Sequence, residues 1–358
     1  MIFRMSTVAL LMVLLTSRAV VTPEGCHPVC PAGQDPQKNS PYQHLLLRDD
    51  FDGWQPDDPC YTMAPRCSVR LDWFAPGTCP EDQNYDSLKD LNKCIWTVFT
   101  GYDFWRSAQT EGGTAYRAEN VAVEAGELVL KATRNPHYDP AGGVCGIARP
   151  NDPLAPDYYG TNCKYALGGV MSRYVDDMTQ GMNARYGRID IRAKIETKTG
   201  GYGALWMWPE QLGQGYPNIA ATQYLYKNSN GDMVPYFLGE IDIWENNSAD
   251  SQKEGIQTYH CWYADAQGSS FTPTKVYLDL NEYHHFGVEW QEDSITFYVD
   301  SCYTQKIENG DKASAGGQRK LTISDIASFL ILNIYLTAAI PAESVESLRI
   351  DQVSIYDQ

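Results

Sequence analysis

Three carboxylates stand close together in Gly239-Glu240-Ile241-Asp242-Ile243-Trp244-Glu245-Asn246, separated by large apolar side chains. A helix would scatter the acids around its axis and put Ile241 and Ile243 on no common face. A strand puts Glu240 and Asp242 on one face and the two isoleucines on the other. Glu245 then has the wrong parity. One extra residue near Trp244, a β-bulge, brings it back to the acid face, and bulges are common beside active sites because they re-aim a side chain. With the bulge, Glu240 and Glu245 lie about four strand steps apart, roughly 13 Å at about 3.3 Å per residue. Two glutamates leaning together close that gap to about 5–6 Å, near the roughly 5–5.5 Å at which one carboxyl attacks a sugar while the other protonates the departing oxygen. Asp242 lies between them. A like charge there disfavours ionisation of a neighbour, so at least one glutamate is expected to stay protonated near neutral pH. Calcium, which takes hard oxygen ligands, and a merely solvated polar strand face are the competing readings of the same acids.

The elements around this segment read as strands. Gly187 to Ile195 alternates apolar and charged residues throughout, the pattern of a half-buried antiparallel strand. Phe286, Val288 and Trp290 alternate, Gln291 to Ser294 makes a turn, and Ile295, Phe297 and Val299 alternate again, which is a hairpin. Val121 and Val123, the turn Ala125-Gly126-Glu127, and Leu128 and Leu130 repeat the device, and Leu348–Tyr356 reads as the last strand. Ile323–Leu330 is expected to form a short helix, and His284-His285 to form a turn before the next strand. Many short strands with polar turns predict an all-β protein, a sandwich of two antiparallel sheets.

The chain has 358 residues and a formal net charge of −17. Such acidity argues against nucleic acid or an anionic membrane as partner and suits a neutral or cationic ligand. Arg4 followed by the apolar run Thr7 to Leu15 and the small residues Ser17 and Ala19 reads as a secretory signal peptide over residues 1–19. It is too short to span a bilayer as a helix, and neither a later apolar run nor the terminal SIYDQ offers a membrane anchor. The protein is therefore expected to be secreted. Ten cysteines lie beyond residue 19, an even number that favours disulfides in an exported chain, with pairing unreadable from sequence. Residues 20–45 read as a Pro-rich tail and 46–358 as one domain. That domain carries a Cys-rich insertion at 53–95 and an aperiodic stretch at 209–238 that runs directly into the acids. One sequon, Asn246-Asn247-Ser248, abuts Glu245. It is expected to stay unglycosylated because a glycan there would crowd the cleft.

Glu240-Ile-Asp242-Ile-Trp-Glu245 resembles the signature of glycoside hydrolase family 16 in its laminarinase-like form with one extra residue. Leu167 to Ser172, Tyr186 to Lys194, Gly203 to Pro209, Phe286 to Trp290, Ile295 to Asp300, Leu330 to Asn333 and Ile350 to Val353 resemble further family segments in the family's order. The resemblance runs from about Leu47 to the end. It implies a jelly-roll sandwich with a concave cleft and a retaining double displacement on β-glucan, with Glu240 as nucleophile, Glu245 as acid/base and Asp242 steering protonation. It implies substrate contacts from Trp206, Trp208, Tyr202, His260, Asn120 and Asn333; tryptophan faces match the apolar C–H faces of sugars. It implies no cofactor for catalysis, but a structural calcium on the far face held by Asp351 and by Asp50 or Asp52.

Tyr202-Gly203-Ala204-Leu205-Trp206 stands where the family usually has Trp-Pro-Ala-Phe-Trp, which removes an outer stacking tryptophan. The insertions resemble those of the fungal branch associated with wall β-1,6-glucan assembly. The resulting expectation is a monomeric, secreted endo-β-1,3-glucanase whose activity extends to mixed linkages. A β-glucan transglycosylase of the same chemistry and a non-catalytic β-glucan-recognition protein are the alternatives.

Overall fold

The structure is a computed structural model. It describes residues 44–51, 96–98, 101–102, 111–141, 145, 162–172, 183–198, 200–209, 225–227, 233–235, 238–246, 254–262, 268–270, 274–311, 321, 323–324 and 327–357. The signal peptide, nearly all of the Pro-rich tail, the insertion 53–95 with Asp52, and most of 209–238 lie outside the described residues. Leu225–Lys227 and Met233–Pro235 within that last stretch pair as a small ladder, which a reading without period did not foresee.

The alternating segments form strands as expected. Gly187–Glu196 buries Ile189, Ile191, Ala193 and Ile195 and leaves the charged positions partly open, apart from Arg188. Each isoleucine so buried contributes roughly 1.5–3 kcal/mol. This strand is central in an eleven-stranded sheet. Val345–Asp357 lies on one side and His284–Trp290 on the other, followed by Ser294–Val299 and Cys302–Glu308. Val121–Glu124 and Glu127–Arg134 are joined through Ala125 and Gly126, both at positive φ. Two such residues in succession match the right-handed twist of the paired strands, and a glycine takes one of them at no steric cost.

A nine-stranded sheet packs against the first. Its order runs Gly268–Ser270, Glu254–Trp262, Leu238–Asn246, Gly201–Pro209, Ser328–Leu336, Gly169–Met171, Thr97–Val98. Ser328–Leu336 corrects the helix expected over Ile323–Leu330. All nine of its residues are buried, so both faces are covered and the apolar run FLILNIYL shows no alternation to read. His284 and His285 also correct the expected turn. They open the strand His284–Trp290, where His285 pairs with Arg192 and His284 with Ala193.

Side chains of the nine-stranded sheet cross to the other sheet through the core. Trp244 packs on Phe286 of the other sheet with ring centroids 4.7 Å apart. Gln257 reaches the Tyr298 carbonyl across the same gap at 3.2 Å. The residues of opposite parity therefore face away from the partner sheet, and the acids are among them.

Candidate active site

The acid strand Leu238–Asn246 carries its bulge at Ile243. On one side Glu240 pairs with His260 and Asp242 with Thr258, but Glu245 pairs with Ile256, three residues advancing against two. On the other side Leu205 pairs with Trp244 and Trp206 with Asp242, so Ile243 has no partner there either. Ile256, Thr258 and His260 follow one another on an unbroken strand and share a face. Glu240, Asp242 and Glu245, opposite them, share it too. Ile243 and Trp244 both turn into the core, fully buried. The extra residue thus lets two consecutive large side chains be buried while the next acid returns to the face of Glu240 and Asp242.

The same face collects Tyr202, Ala204, Trp206 and Trp208 from Gly201–Pro209, opposite Tyr335, Asn333, Ile331 and Phe329 of Ser328–Leu336. Asp242 is 1% exposed, whereas Glu240 and Glu245 are only partly buried. His260 Nε2 lies 3.0 Å from Asp242 Oδ2. Ligand-type atoms of Glu240, Asp242 and His260 all lie within 4.8 Å of one another. Glu245 accepts a hydrogen bond on Oε1 from the Tyr335 hydroxyl at 3.0 Å. Trp206 and Trp208 meet edge to face at 5.9 Å, and Tyr202 stacks on Tyr335 at 4.2 Å.

Asn333 lies beneath this aromatic surface. It accepts from Trp206 Nε1 at 2.7 Å and donates through Nδ2 to the Tyr116 hydroxyl at 2.8 Å. Both ends of its amide are spent on protein, so its action on a ligand would pass through Trp206. Asn120 is placed elsewhere, at the end of the short 3-10 helix Ala118–Asn120 beside the larger sheet. Its Nδ2 donates to the carbonyls of Lys131 and Ala166 and to Thr133 Oγ1, tying the turn before Val121 to two neighbouring strands. Asp351 and Asp50, expected to hold calcium, are each met by an arginine. Asp351 pairs with Arg192, and Asp50 takes Arg48 Nε and Gln352 Nε2, both at 2.8 Å. Asn246 of the sequon is 1% exposed, and its Oδ1 accepts from Trp244 Nε1 at 3.3 Å on the core side.

Tyr335, Tyr116 and Ala204 were not singled out from sequence. Tyr335 had a legible signal, since it stands two residues after Asn333 on the same strand. Tyr116 had none, because only the folded chain brings it to Asn333 across 217 residues.

Acids and aromatics thus share one face of a two-sheet sandwich. Residues 177–328 match the model described as glycosyl hydrolases family 16. The glucan endo-1,3-beta-glucosidase A1 of Niallia circulans is 23% identical over 343 residues, covering 89% of this chain. The keratan-sulfate endo-1,4-beta-galactosidase of Sphingobacterium multivorum is 26% identical over 203 residues, covering 54% of it. The chain spans only 42% and 40% of the lengths of these two relatives. The laminarinase catalytic domain of Thermotoga maritima MSB8 superposes with a TM-score of 0.53 at 20% identity, covering 88% of this chain and 98% of that one. The fold is the jelly-roll β-sandwich.

Proposed function

We propose that this chain is a glycoside hydrolase, a secreted endo-β-1,3-glucanase acting by a retaining double displacement. The observation that carries this reading is the one-residue register slip at Ile243, which sets Glu240, Asp242 and Glu245 on one face beside Trp206. In the first step a Glu240 oxygen forms a bond to the anomeric carbon. The bond from that carbon to the glycosidic oxygen breaks, its electron pair goes to the oxygen, and Glu245 supplies the proton. In the second step Glu245, now a carboxylate, takes a proton from water. The water oxygen bonds to the same carbon and Glu240 leaves. Asp242 and His260, grouped with Glu240, are placed to exchange protons beside the nucleophile. Trp206 offers an aromatic face to a sugar ring. No step needs a cofactor.

The name of the Niallia circulans relative favours a β-1,3-glucan, while the Sphingobacterium multivorum relative makes a galactan the substrate to test against it. The assay is release of reducing ends from laminarin, lichenan, pustulan and keratan sulfate. Laminarin is expected to be cleaved, and Glu240→Gln to lower the rate by at least about 10³-fold, beyond what one misaligned group would cost. Cleavage of keratan sulfate alone would refute the substrate while keeping the chemistry. Products longer than the starting laminari-oligosaccharide would show transfer instead of hydrolysis.

A further inference from the structure

We propose that Tyr335 is a positioning residue that dictates which oxygen of Glu245 carries the catalytic proton; this rests on the glucanase reading above. Glu245 pairs with Ala204, and Ala204 pairs on its other side with Asn333. The side chain of Ala204, between Glu245 and Asn333, is only a methyl, and it leaves room for Glu245 to lean over an entire strand. The carboxylate thereby reaches Tyr335, which lies two residues beyond Asn333 on the next strand, and accepts its hydroxyl proton on Oε1 at 3.0 Å. Tyr335 is itself held. Its ring stacks on the directly opposed Tyr202 at 4.2 Å and 21°.

A carboxyl oxygen that accepts a phenolic hydrogen bond is the poorer place for the acid proton, because the protonated oxygen is a donor and a weaker acceptor. Donation to Oε1 therefore assigns the proton to Oε2. A fixed Oε2 is worth having in both half-reactions. The same oxygen must give a proton to the glycosidic oxygen and then take one from water, and an error of about 1 Å in such a group costs about 10²-fold in rate. Tyr335 does not touch the reacting atoms; it acts through Glu245.

The test is Tyr335→Phe, which keeps the ring and its stack on Tyr202 and removes only the hydroxyl. Wild type and variant are compared on laminaripentaose, whose sugar leaving group needs a proton, and on 2,4-dinitrophenyl β-laminaribioside, whose leaving group does not. A loss in kcat/KM of roughly 10- to 100-fold is expected on the pentaose with KM nearly constant, against less than about 3-fold on the aryl glycoside. Equal losses on both substrates, or none on either, would overturn the proposal. Ala204→Val, which crowds the path of Glu245, is expected to give the same split and serves if the first variant does not fold. Crystal structures give a readout that needs no turnover. The Glu245 carboxylate is expected to leave its place beside residue 335 in Tyr335→Phe, and one that stays there refutes the role whatever the activity. A wild-type enzyme inactive on both substrates would instead refute the glucanase reading, leaving the crystal comparison to decide Tyr335.

Discussion

Gly255→Ala adds one methyl group and is expected to damage both the fold and the site. Gly255 pairs with Asn246 at the end of the acid strand, and a Cβ there would point into the core. It would stand 2.1 Å from Trp244 Cζ2, 2.4 Å from Cε2 and 2.5 Å from Cη2. Carbon atoms pack comfortably at about 3.5–4.0 Å, so ring and strand must part by roughly 1.5 Å. The ring has little room to retreat. Trp244 is fully buried, its ring meets Phe286 at 4.7 Å, and its Nε1 donates a hydrogen bond to Asn246. Overpacking of this kind costs about 1–3 kcal/mol. For a domain of this size about 1 kcal/mol moves Tm by roughly 2–4 °C, so a fall of up to roughly 10 °C is expected. The site suffers separately, because Trp244 is the residue immediately before Glu245. A shift of about 1 Å in the acid implies a loss of about 10²-fold in kcat at temperatures where the variant is still folded. The assay is laminarin hydrolysis well below Tm alongside thermal unfolding. Pairing Gly255→Ala with Trp244→Leu, which makes space, is expected to restore part of the lost stability. A single variant with wild-type Tm and kcat would refute the view that the glycine exists to admit the tryptophan and so to seat the bulge.

Asn333→Leu keeps the volume but removes the acceptor for Trp206 and the donor to Tyr116. A loss of about 2–4 kcal/mol in urea unfolding and a raised KM for laminari-oligosaccharides are expected, since each buried partner loses a hydrogen bond; a KM unchanged from wild type would show that the link does not orient the tryptophan. His284 provides a pH test. Burial favours its neutral form, but Asp300 at 2.7 Å on Nδ1 and the Asp279 carbonyl at 3.0 Å on Nε2 outweigh that and raise its pKa. Burial likewise pushes Asp300 up, and its bonds from the His284 ring and the His285 N–H bring it below the usual carboxylate range. The stability from the raised histidine is full below about pH 6.5 and is lost as pH rises through its folded value. The share from Asp300 is full above about pH 3.9 and is lost as pH falls through its depressed value. Unfolding free energy is therefore expected to decline from pH 6 to pH 9 in wild type, with a flatter decline in His284→Gln; equal slopes would remove the pair from the account.

What could be read in the sequence was whatever a strand writes into consecutive residues. The alternation of Ile189, Ile191 and Ile195, the hairpin after Trp290 and the parity of Glu240 with Asp242 are local facts of a two-residue period. Even the bulge was legible, because an acid of the wrong parity next to Trp244 had either to be buried or to be turned round. The strand Ser328–Leu336 was not legible as a strand, since burial on both faces removes the alternation that would reveal it. The tertiary structure alone decided what each side chain faces across strands. It spent both ends of Asn333 on Trp206 and Tyr116, bonded Asn120 to strands of the other sheet, gave Asp351 and Asp50 to arginines, and brought Tyr335 to Glu245 over Ala204. These are contacts between residues up to 302 positions apart. They depend on which strands become neighbours and in what register, and that follows from packing two whole sheets together, which no short window of sequence contains.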